Sequence, residues 1–324
     1  MKNYIIYLIS ILAMSLLLAC DRGGEFELGN NTLALTLSCS DITRADDPDP
    51  LNENKIVSLD CFFYAASPDA TTADFNAPSL AHRRISSISA TGQYTTYISF
   101  EDEDIARIFG NSNRCFIYVI ANCSSDIFSS LSTSLPTINQ LKALEVESDF
   151  QTYTKKQSSF VMDSEGNDVV TLRVNDNGTK TLSGNVEHRR TAAKISFTIS
   201  KFGLDDANDE VEIDGEKYTP NYGGIYVIFN NCVYKSHIAP DVVSNDDIND
   251  RCYDVGSDED DDDNADDAEA DGNEGNNGII RRVTTEGHAP CTLSKPFYSY
   301  PSDRGVIEAN NPYISLVVPW KAVD

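Results

Sequence analysis

The stretch LALTLSCSDITRADDPDP, Leu33 to Pro50, joins an alternating apolar run to an acidic linker that contains proline. Leu33, Leu35 and Leu37 alternate with small or polar residues, which is the period-two pattern of a strand with one buried face. A lone arginine, Arg44, precedes the sequence ADDPDP, which is charged, stiff and typical of an exposed loop. The stretch therefore predicts a first strand with three buried leucines, followed by a loop that a protease can reach.

The same kind of pattern recurs along the whole chain. Apolar residues alternate or form short continuous runs, and Gly, Asn, Asp, Ser or Pro bound each run, as in β-strands. Many short strands separated by turn signals favour an all-β sandwich architecture. The predicted strands are TLALTLS, IVSLDCFFYA, QYTTYISF, CFIYVIAN, DVVTLRV, TLSGNVEHR, AKISFTIS, GIYVIFNNCVYK, CTLSKPFYSYP and YISLVVPW.

Two short helices are predicted between these strands. DEDIARIFG has acidic residues in its first turn and ends at Gly110, in keeping with helix polarity. TINQLKALEVES begins with Thr137 and has Gln140 three residues later, which is a capping box. With Pro136 before it, this second helix is predicted to form a crossing connection within the first domain.

The chain has 324 residues, enough for two domains of ordinary size. EHRRTAAKISFTIS opens a new series of strands, which places a boundary near residue 190. We predict an N-terminal β-sandwich over 45–190 and a C-terminal β-sandwich over 191–324.

The formal net charge of −26 argues against nucleic acid as a partner, because binding to phosphates needs clustered Lys and Arg. Eleven acidic residues lie between Asp258 and Glu274, and such a run repels itself. We predict a disordered acidic loop over about 241–280. A calcium site is the alternative: Asp267 starts the best EF-hand register, whose other matching residues are Glu269, Asp271 and Gly272. Its twelfth position, however, is Gly278 and not the bidentate Glu.

The first residues, MKNYIIYLISILAMSLLLAC, form a basic start and a short apolar core, which predicts a signal peptide over 1–19. The ending LLAC resembles the bacterial lipobox, in which the cysteine receives the lipid. We therefore predict that Cys20 is lipidated and anchors the mature chain to the outer membrane. An ordinary secretory signal that ends in cysteine is the alternative.

Outside the acidic run, no pattern in the sequence indicates catalysis or a metal site. The seven cysteines after Cys20 contain no CxxC pair, and Cys61 and Cys115 lie in apolar runs, where free cysteine behaves as a small hydrophobe. A zinc site is therefore not expected. The catalytic motifs of hydrolases and nucleotide-binding enzymes are missing, and each histidine is predicted to be a surface or loop residue. A catalytic Asp/Glu pair, as in glycosidases, stays an alternative, but the sequence singles out no two carboxylates for that role. The sequence predicts a protein that is not an enzyme and needs no cofactor.

Several segments in order resemble one bacterial family. The lipobox leads into a strand and an Arg-Ala pair, and the later segments are ENKIVSLDCFFYA, CFIYVIANCSSD, FQTYTKKQSSFVMDSEG, VEHRRTAAKISFTIS and PFYSYPSD. This succession, over roughly residues 33 to 301, resembles the fimbrillin-type fimbrial subunits of Bacteroidales, the components of type V pili. The resemblance implies two tandem transthyretin-like β-sandwich domains.

The resemblance also implies a function for the opening stretch. In the stalk subunits of that family, a lipidated precursor is cut after an arginine that follows the first strand, and a C-terminal strand of another subunit fills the vacated groove. Here the cut bond would be Arg44–Ala45, so 20–44 would be a propeptide that carries the first strand away with its three leucines. Loss of that strand would uncover an apolar groove with open backbone groups, which strand addition satisfies.

The strand YISLVVPW near the end of the chain is the candidate donor. Ile314, Leu316 and Val318 share one face of it and could fill a groove shaped for LALTL. An ordinary core strand of the second domain is the alternative interpretation.

The leading hypothesis is therefore a structural subunit of a surface fimbria that polymerises by donor-strand exchange and contributes to adhesion. Its expected partners are other fimbrial subunits, an arginine-specific protease, the outer membrane and a host surface receptor. The alternative is a surface-anchored lipoprotein that does not polymerise, such as a fimbrial anchor, a tip adhesin or a module that binds glycan or protein.

Overall fold

The structure of the protein is a computed structural model. It describes residues 29–39, 54–91, 93–131, 133–147, 160–202, 209–230, 232, 235–239, 278–284, 287–293, 297–300 and 313–323. The fold is all-β with a few short helices, which confirms the predicted class. The two-domain division at residue 190 stays a prediction.

Nine strands lie in the first half of the described chain. They are β1 (Thr32–Cys39), β2 (Lys55–Ala65), β3 (Ala81–Thr91), β4 (Tyr94–Ser99), β5 (Arg114–Ala121), β6 (Glu145–Glu147), β7 (Met162–Asp163), β8 (Asp168–Val174) and β9 (Lys180–Arg190). Eight of them form one sheet in the order β3-β2-β5-β7-β9-β1-β4, and β8 pairs with both β5 and β9. Hence β1 lies inside this sheet, although it comes first along the chain.

Eleven further strands follow in the second half. They are β10 (Ala193–Ile195), β11 (Thr198–Ile199), β12 (Val211–Ile213), β13 (Glu216–Pro220), β14 (Tyr226–Asn230), β15 (Lys235–His237), β16 (Gly278–Thr284), β17 (Cys291–Leu293), β18 (Phe297–Ser299), β19 (Tyr313–Val317) and β20 (Trp320–Ala322). A five-stranded sheet has the order β11-β17-β16-β14-β19, and a three-stranded sheet has the order β12-β13-β20.

Both predicted helices are present. The first, α1 (Asp102–Phe109), begins with three acidic residues and ends at Gly110, whose φ is 52°. The second, α2 (Ile138–Lys142), has the predicted capping box: Gln140 N donates to Thr137 Oγ1 at 3.1 Å, and Thr137 N donates to Gln140 Oε1 at 2.9 Å. Two 3₁₀ turns lie at Ser125–Ser130 and Tyr222–Gly224.

Two hydrophobic clusters hold these elements together. The inner core lies within the first half and includes the β1 leucines, Phe63, Ile117, Val119, Ile98 and the apolar face of α1. The shared core takes residues from both halves, among them Phe62, Tyr118, Leu141, Val227, Phe229 and Phe297. Because β2 and β5 bury residues on both faces, they separate the two cores, which is why they read as continuous apolar runs. The short pair β6–β15 also joins the two halves.

Several local predictions need correction. The run AKISFTIS is not one strand but two, β10 and β11, which pair with β18 and β17 respectively. The predicted strand GIYVIFNNCVYK is likewise divided between β14 and β15. Strand β3 was not predicted, because its sequence AHRRISSISAT carries charged and polar residues where a buried strand would be apolar. The strand β16 begins at Gly278, just inside the end of the predicted acidic loop.

The prediction that each histidine is a surface or loop residue is wrong for one of the four, His188, whereas His82 and His237 are partly exposed strand residues. His82 lies on β3 and His237 on β15, while His188 lies on β9 with an exposed fraction of 1%. His188 follows Leu182, Gly184 and Val186 at a spacing of two, so the strand's alternation carries it to the buried face.

The prediction for the cysteines in apolar runs is confirmed. Cys61 and Cys115 are fully buried and free, and burial raises the pKa of each thiol well above its ordinary value. Three other described cysteines, Cys123, Cys232 and Cys291, are also buried. A raised pKa keeps the thiols of Cys61 and Cys115 protonated, so these two side chains act as packing groups.

Candidate functional site around the first strand

Strand β1 is bonded along both of its edges. It runs parallel to β9 from Thr32 opposite Thr181 to Cys39 opposite His188, and antiparallel to β4 from Thr32 opposite Ser99 to Leu37 opposite Tyr94. Removal of β1 would therefore leave two strand edges with open donors and acceptors, separated by the width of one strand.

The inward face of β1 carries the three predicted leucines. Leu33, Leu35 and Leu37 each have an exposed fraction of 0% and belong to the inner core. Burial of a leucine contributes about 1.5–3 kcal/mol to the free energy of unfolding. Removal of β1 would thus uncover an apolar groove. It would also lower the free energy of unfolding by several kcal/mol, about 1.5–3 kcal/mol for each leucine.

Each leucine lies between one residue of β9 and one residue of β4. Leu33 lies between Leu182 and Ile98, and Leu37 lies between Val186 and Tyr94. The middle leucine is different, because Leu35 lies between Gly184 and Thr96, which carry small side chains or none. We call the space at this middle position, bounded by Gly184 and Thr96, the middle pocket.

Gly184 has no room for a larger residue. A Cβ built on it would lie 3.0 Å from Val170 Cγ2 and 3.4 Å from Leu35 Cδ1. The 3.0 Å contact requires Val170 to move by a few tenths of an ångström, and Leu35 is already in van der Waals contact, so a side chain longer than a methyl group at residue 184 would compete with both for space. This is a close approach of the kind for which glycine is used inside strands.

A polar network fixes the start of β1. Asn31 has a φ of 58°, a left-handed conformation that asparagine tolerates. Its backbone N–H donates to Lys180 O at 2.8 Å, and its Nδ2 donates to Asp102 Oδ1 at 3.1 Å. Lys180 donates twice, from its backbone N–H to Asn30 Oδ1 at 2.8 Å and from Nζ to Asp102 Oδ1 at 2.7 Å. We call these four residues the strand clamp.

The strand clamp favours the ionised form of Asp102. Hydrogen bonds from Lys180 and then from Asn31 lower the pKa of this carboxyl below its ordinary value. Since Asp102 is also the first residue of α1, its negative charge lies where the helix dipole favours it. The clamp thus joins β1, β9 and α1 at one end of the groove.

The other end of the groove contains a buried histidine. His188 is the register partner of Cys39, the last residue of β1, and burial lowers the pKa of His188 to about 4. At neutral pH this imidazole is uncharged, because burial disfavours its protonated form.

Three predicted site residues lie outside the described part of the chain: Cys20, Arg44 and Ala45. The predicted lipidation of Cys20 and the predicted cut at the Arg44–Ala45 bond therefore stay predictions. What the structure gives is the strand that precedes this bond, with its full burial and pairing.

The candidate donor residues lie on or beside β19, away from β1. Among the described residues β19 pairs with β14 alone, with Leu316 opposite Val227 and Ile314 opposite Phe229. Those two partners are fully buried, yet Ile314 and Leu316 keep exposed fractions of 47% and 45%. Val318 packs against the shared core. Hence, among the described strands, β19 is an edge strand that leaves two of the three candidate residues about half exposed.

Several contributors to the site were not predicted from the sequence, namely Asn30, Asn31, Thr96, Asp102, Lys180, Gly184 and His188. The run GNNT before β1 is a turn signal, and a glycine inside the strand TLSGNVEHR indicates a close approach. Neither signal says which distant strand supplies the partner.

Within the described ranges no group of three or more His, Cys, Asp or Glu side chains could hold a metal ion. None of the helices in those ranges is long and apolar enough to cross a membrane. The candidate functional site of the described chain is the groove that β1 fills, which is defined by pairing on both edges and by three buried leucines.

Comparisons with known proteins give structural similarities only. No protein-family model matches the sequence, and no curated protein matches it. The fold is similar to a fimbrilin from Porphyromonas gingivalis W83, with a TM-score of 0.35 and 11% identity over 65% of this chain and 52% of that one. The chain thus spans about half the length of that fimbrilin.

Two other solved structures are matched over more of the chain. A proposed cell adhesion protein from Parabacteroides distasonis ATCC 8503 has a TM-score of 0.45 and 12% identity, covering 91% of this chain and 84% of that one. The fimbrial anchor protein Mfa2 from Porphyromonas gingivalis has a TM-score of 0.37 and 10% identity, covering 89% and 77%.

Proposed function

We propose that this chain is a structural subunit of a bacterial surface fimbria. It is exported as a lipoprotein precursor, anchored through Cys20, cut after Arg44 and polymerised by donor-strand exchange, and the polymer contributes to adhesion. Its partners are an arginine-specific protease, the outer membrane, other subunits of the fimbria and a host surface receptor.

One observation carries this proposal. Strand β1 is bonded on both edges, buries three leucines and directly precedes the segment that contains Arg44. A cut in that segment would leave β1 held only by non-covalent contacts. An incoming strand of matching pattern would then restore both the ladder bonds and the apolar burial.

The uncovered residues of β19 support the second half of the proposal. Ile314 and Leu316 recur at the same spacing of two as the β1 leucines, and neither the β1 segment 32–38 nor the β19 segment 313–318 carries a charge. In a chain with a net charge of −26, such neutral segments can associate without repulsion.

The test begins with the chain expressed from Asp21, without signal and lipid, and treated with an arginine-specific protease. N-terminal sequencing and size-exclusion chromatography then report the cut and the assembly. We expect a new N-terminus at Ala45 and a ladder of oligomers.

Two variants serve as controls. Arg44→Gln should resist the protease in this loop and stay monomeric, whereas the paired change Ile314→Asp and Leu316→Asp should be cut normally and fail to assemble. An uncut, monomeric wild-type chain would instead support the alternative function, a surface-anchored lipoprotein that does not polymerise.

A further inference from the structure

We infer that the middle pocket selects the strand that replaces β1, and that its occupant is Leu316 of a second copy of this chain. This inference rests on the proposed function and adds the register of the exchange and the residue that specifies it.

The first step concerns the shape of the groove. At the two outer positions the neighbours of β1 are Leu182 with Ile98 and Val186 with Tyr94, all of them large. At the middle position the neighbours are Gly184 and Thr96, and Leu35 extends over the glycine to 3.4 Å from the position of a Cβ. The groove is therefore deepest in the middle, and a large side chain is needed there to avoid a cavity.

The second step concerns the incoming strand. In the segment 313–318 the residues Ile314, Leu316 and Val318 have the same spacing as Leu33, Leu35 and Leu37. Leucine is the middle residue of both sets. Because the set is centred on Leu316, this residue meets the middle pocket whether the strand enters parallel or antiparallel to β9.

The third step concerns availability. β19 is bonded to β14 alone among the described strands, and Leu316 is nearly half exposed although its register partner Val227 is fully buried. Transfer of Leu316 to the middle pocket would complete its burial. In the β1 position the strand would give up its pairing with β14 but would have two bonded edges in place of one.

The experiment uses the whole chain from Asp21, with a site for a sequence-specific protease inserted in the loop between residues 40 and 53. After the cut, the β1 fragment remains bound until another strand displaces it. A fluorescent peptide of residues 311–321 is added in excess, and its binding is followed by anisotropy and by native mass spectrometry. The inserted site makes this measurement independent of Arg44, so failure of natural processing would count against the proposed function only.

The peptide is compared with two matched variants, Leu316→Ala and Ile314→Ala, in wild-type protein and in Gly184→Val. In the wild-type groove we expect Leu316→Ala to weaken binding at least tenfold, because it leaves a cavity in the middle pocket. In Gly184→Val the side chain at residue 184 fills that space, so the wild-type peptide should bind at least tenfold more weakly and the loss from Leu316→Ala should shrink below about threefold. The loss from Ile314→Ala should be the same in both proteins.

Three outcomes would overturn the inference. Equal losses from Leu316→Ala in the two proteins would mean that residue 184 and residue 316 do not meet. A loss from Ile314→Ala that shrinks in Gly184→Val would mean a different register. A groove that takes back a peptide of residues 31–39 but never binds 311–321 would mean a different occupant.

Gly184→Ala provides a milder form of the same comparison if Gly184→Val does not fold, because its Cβ requires Val170 to move by a few tenths of an ångström and lies in contact with the side chain in the middle pocket. Restoration of thermal stability by Leu35→Ala in the Gly184→Val background would confirm independently that the two side chains compete for one space.

Discussion

Asn31 and Lys180 bond to each other through the backbone and share the carboxylate of Asp102 through their side chains. The two residues come from the start of β1 and the start of β9, so the first strand is held at its entrance by a contact between distant parts of the chain. Loss of β1 from the sheet breaks this contact. The strand clamp thus sets a barrier to strand loss in addition to the burial of the three leucines.

The first prediction tests the strand clamp. Asn31→Ala should lower the free energy of unfolding by about 1–3 kcal/mol, because alanine loses the bond to Asp102 and is strained at a φ of 58°. Asn31→Gly is the matched control: it loses the same bond but accepts the backbone conformation, so it should cost only about 0.5–1.5 kcal/mol. Urea-induced unfolding measures both values. Identical losses for the two variants would show that the left-handed backbone contributes nothing.

The second prediction concerns pH and His188. Its pKa falls from an ordinary value of 6.5 to about 4 in the folded chain, so the unfolded chain binds more protons between these values. The stabilising contribution is complete above pH 6.5 and is lost as pH falls towards 4, by about 3 kcal/mol in total. In His188→Gln this part of the pH dependence should vanish. The measurement is the difference in unfolding free energy between wild type and variant at pH 7.5 and at pH 4.5.

A difference that does not change with pH would contradict that prediction. Comparison with the variant is needed because Asp168 acts in the opposite direction. Burial, and then Glu165 and Glu187, raise the pKa of Asp168 to about 6, so its contribution is present below pH 3.8 and is lost as pH rises through 6. Subtracting the variant from wild type cancels the Asp168 contribution and leaves that of His188.

The third prediction compares two buried tyrosines. The hydroxyl of Tyr118 donates to Asp163 Oδ2 at 3.0 Å, whereas that of Tyr64 donates to the backbone carbonyl of Pro136 at 3.2 Å. Tyr118→Phe should cost about 1.5–3 kcal/mol, since its bond goes to a carboxylate in a buried site. Tyr64→Phe, a substitution of the same size, should cost about 0.5–1.5 kcal/mol. Thermal or chemical unfolding of both variants measures the difference, and the reverse ranking would refute it.

The fourth prediction concerns two neighbouring arginines on β3. Arg84 Nη1 donates at 2.6 Å to Asp60, whose side chain is fully buried, and His82 bonds the other oxygen of that carboxylate at 2.9 Å. Arg84→Ala should cost about 3 kcal/mol, because it leaves a buried carboxylate with one cationic partner fewer. Arg83 pairs with Asp104, which is closer to solvent, so Arg83→Ala should cost about 1 kcal/mol.

Unfolding in low salt and in 1 M salt would separate these two cases. The effect of Arg83→Ala should diminish in salt, since partly exposed pairs are screened. The effect of Arg84→Ala should persist. Equal losses for the two variants would mean that the burial of Asp60 adds nothing to its pairing.

Local patterns predicted the elements that depend on local interactions. Two examples depend only on residues within a few positions of each other: the alternation of Leu33, Leu35 and Leu37, and the Thr137–Gln140 capping box. Both are present in the structure. The groove depends on residues that are far apart in the chain, such as Asn30 and Lys180, which are separated by 150 positions. Nothing near β1 indicates that β9 is its parallel neighbour or that Gly184 lies under Leu35.

Strand β3 shows why polar strands escape such predictions. Its Arg83 and Arg84 would indicate an exposed segment, but here Asp60 and Asp104 neutralise them from neighbouring elements. A prediction from strand propensity uses only the chemistry of each residue. The pairing of opposite charges between strands depends on the tertiary fold, which such a prediction does not include.

Strand β5 has no exposed face. Its alternate residues point into different hydrophobic clusters: Cys115, Ile117 and Val119 belong to the inner core, while Phe116, Tyr118 and Ile120 belong to the shared core. The two halves of the chain therefore use one strand as a common wall, and neither can melt without exposing apolar surface that the other needs covered. A calorimetric scan should therefore give a single cooperative unfolding transition. A destabilising substitution at the far end of the second half would then also lower the stability of the sheet that contains β1.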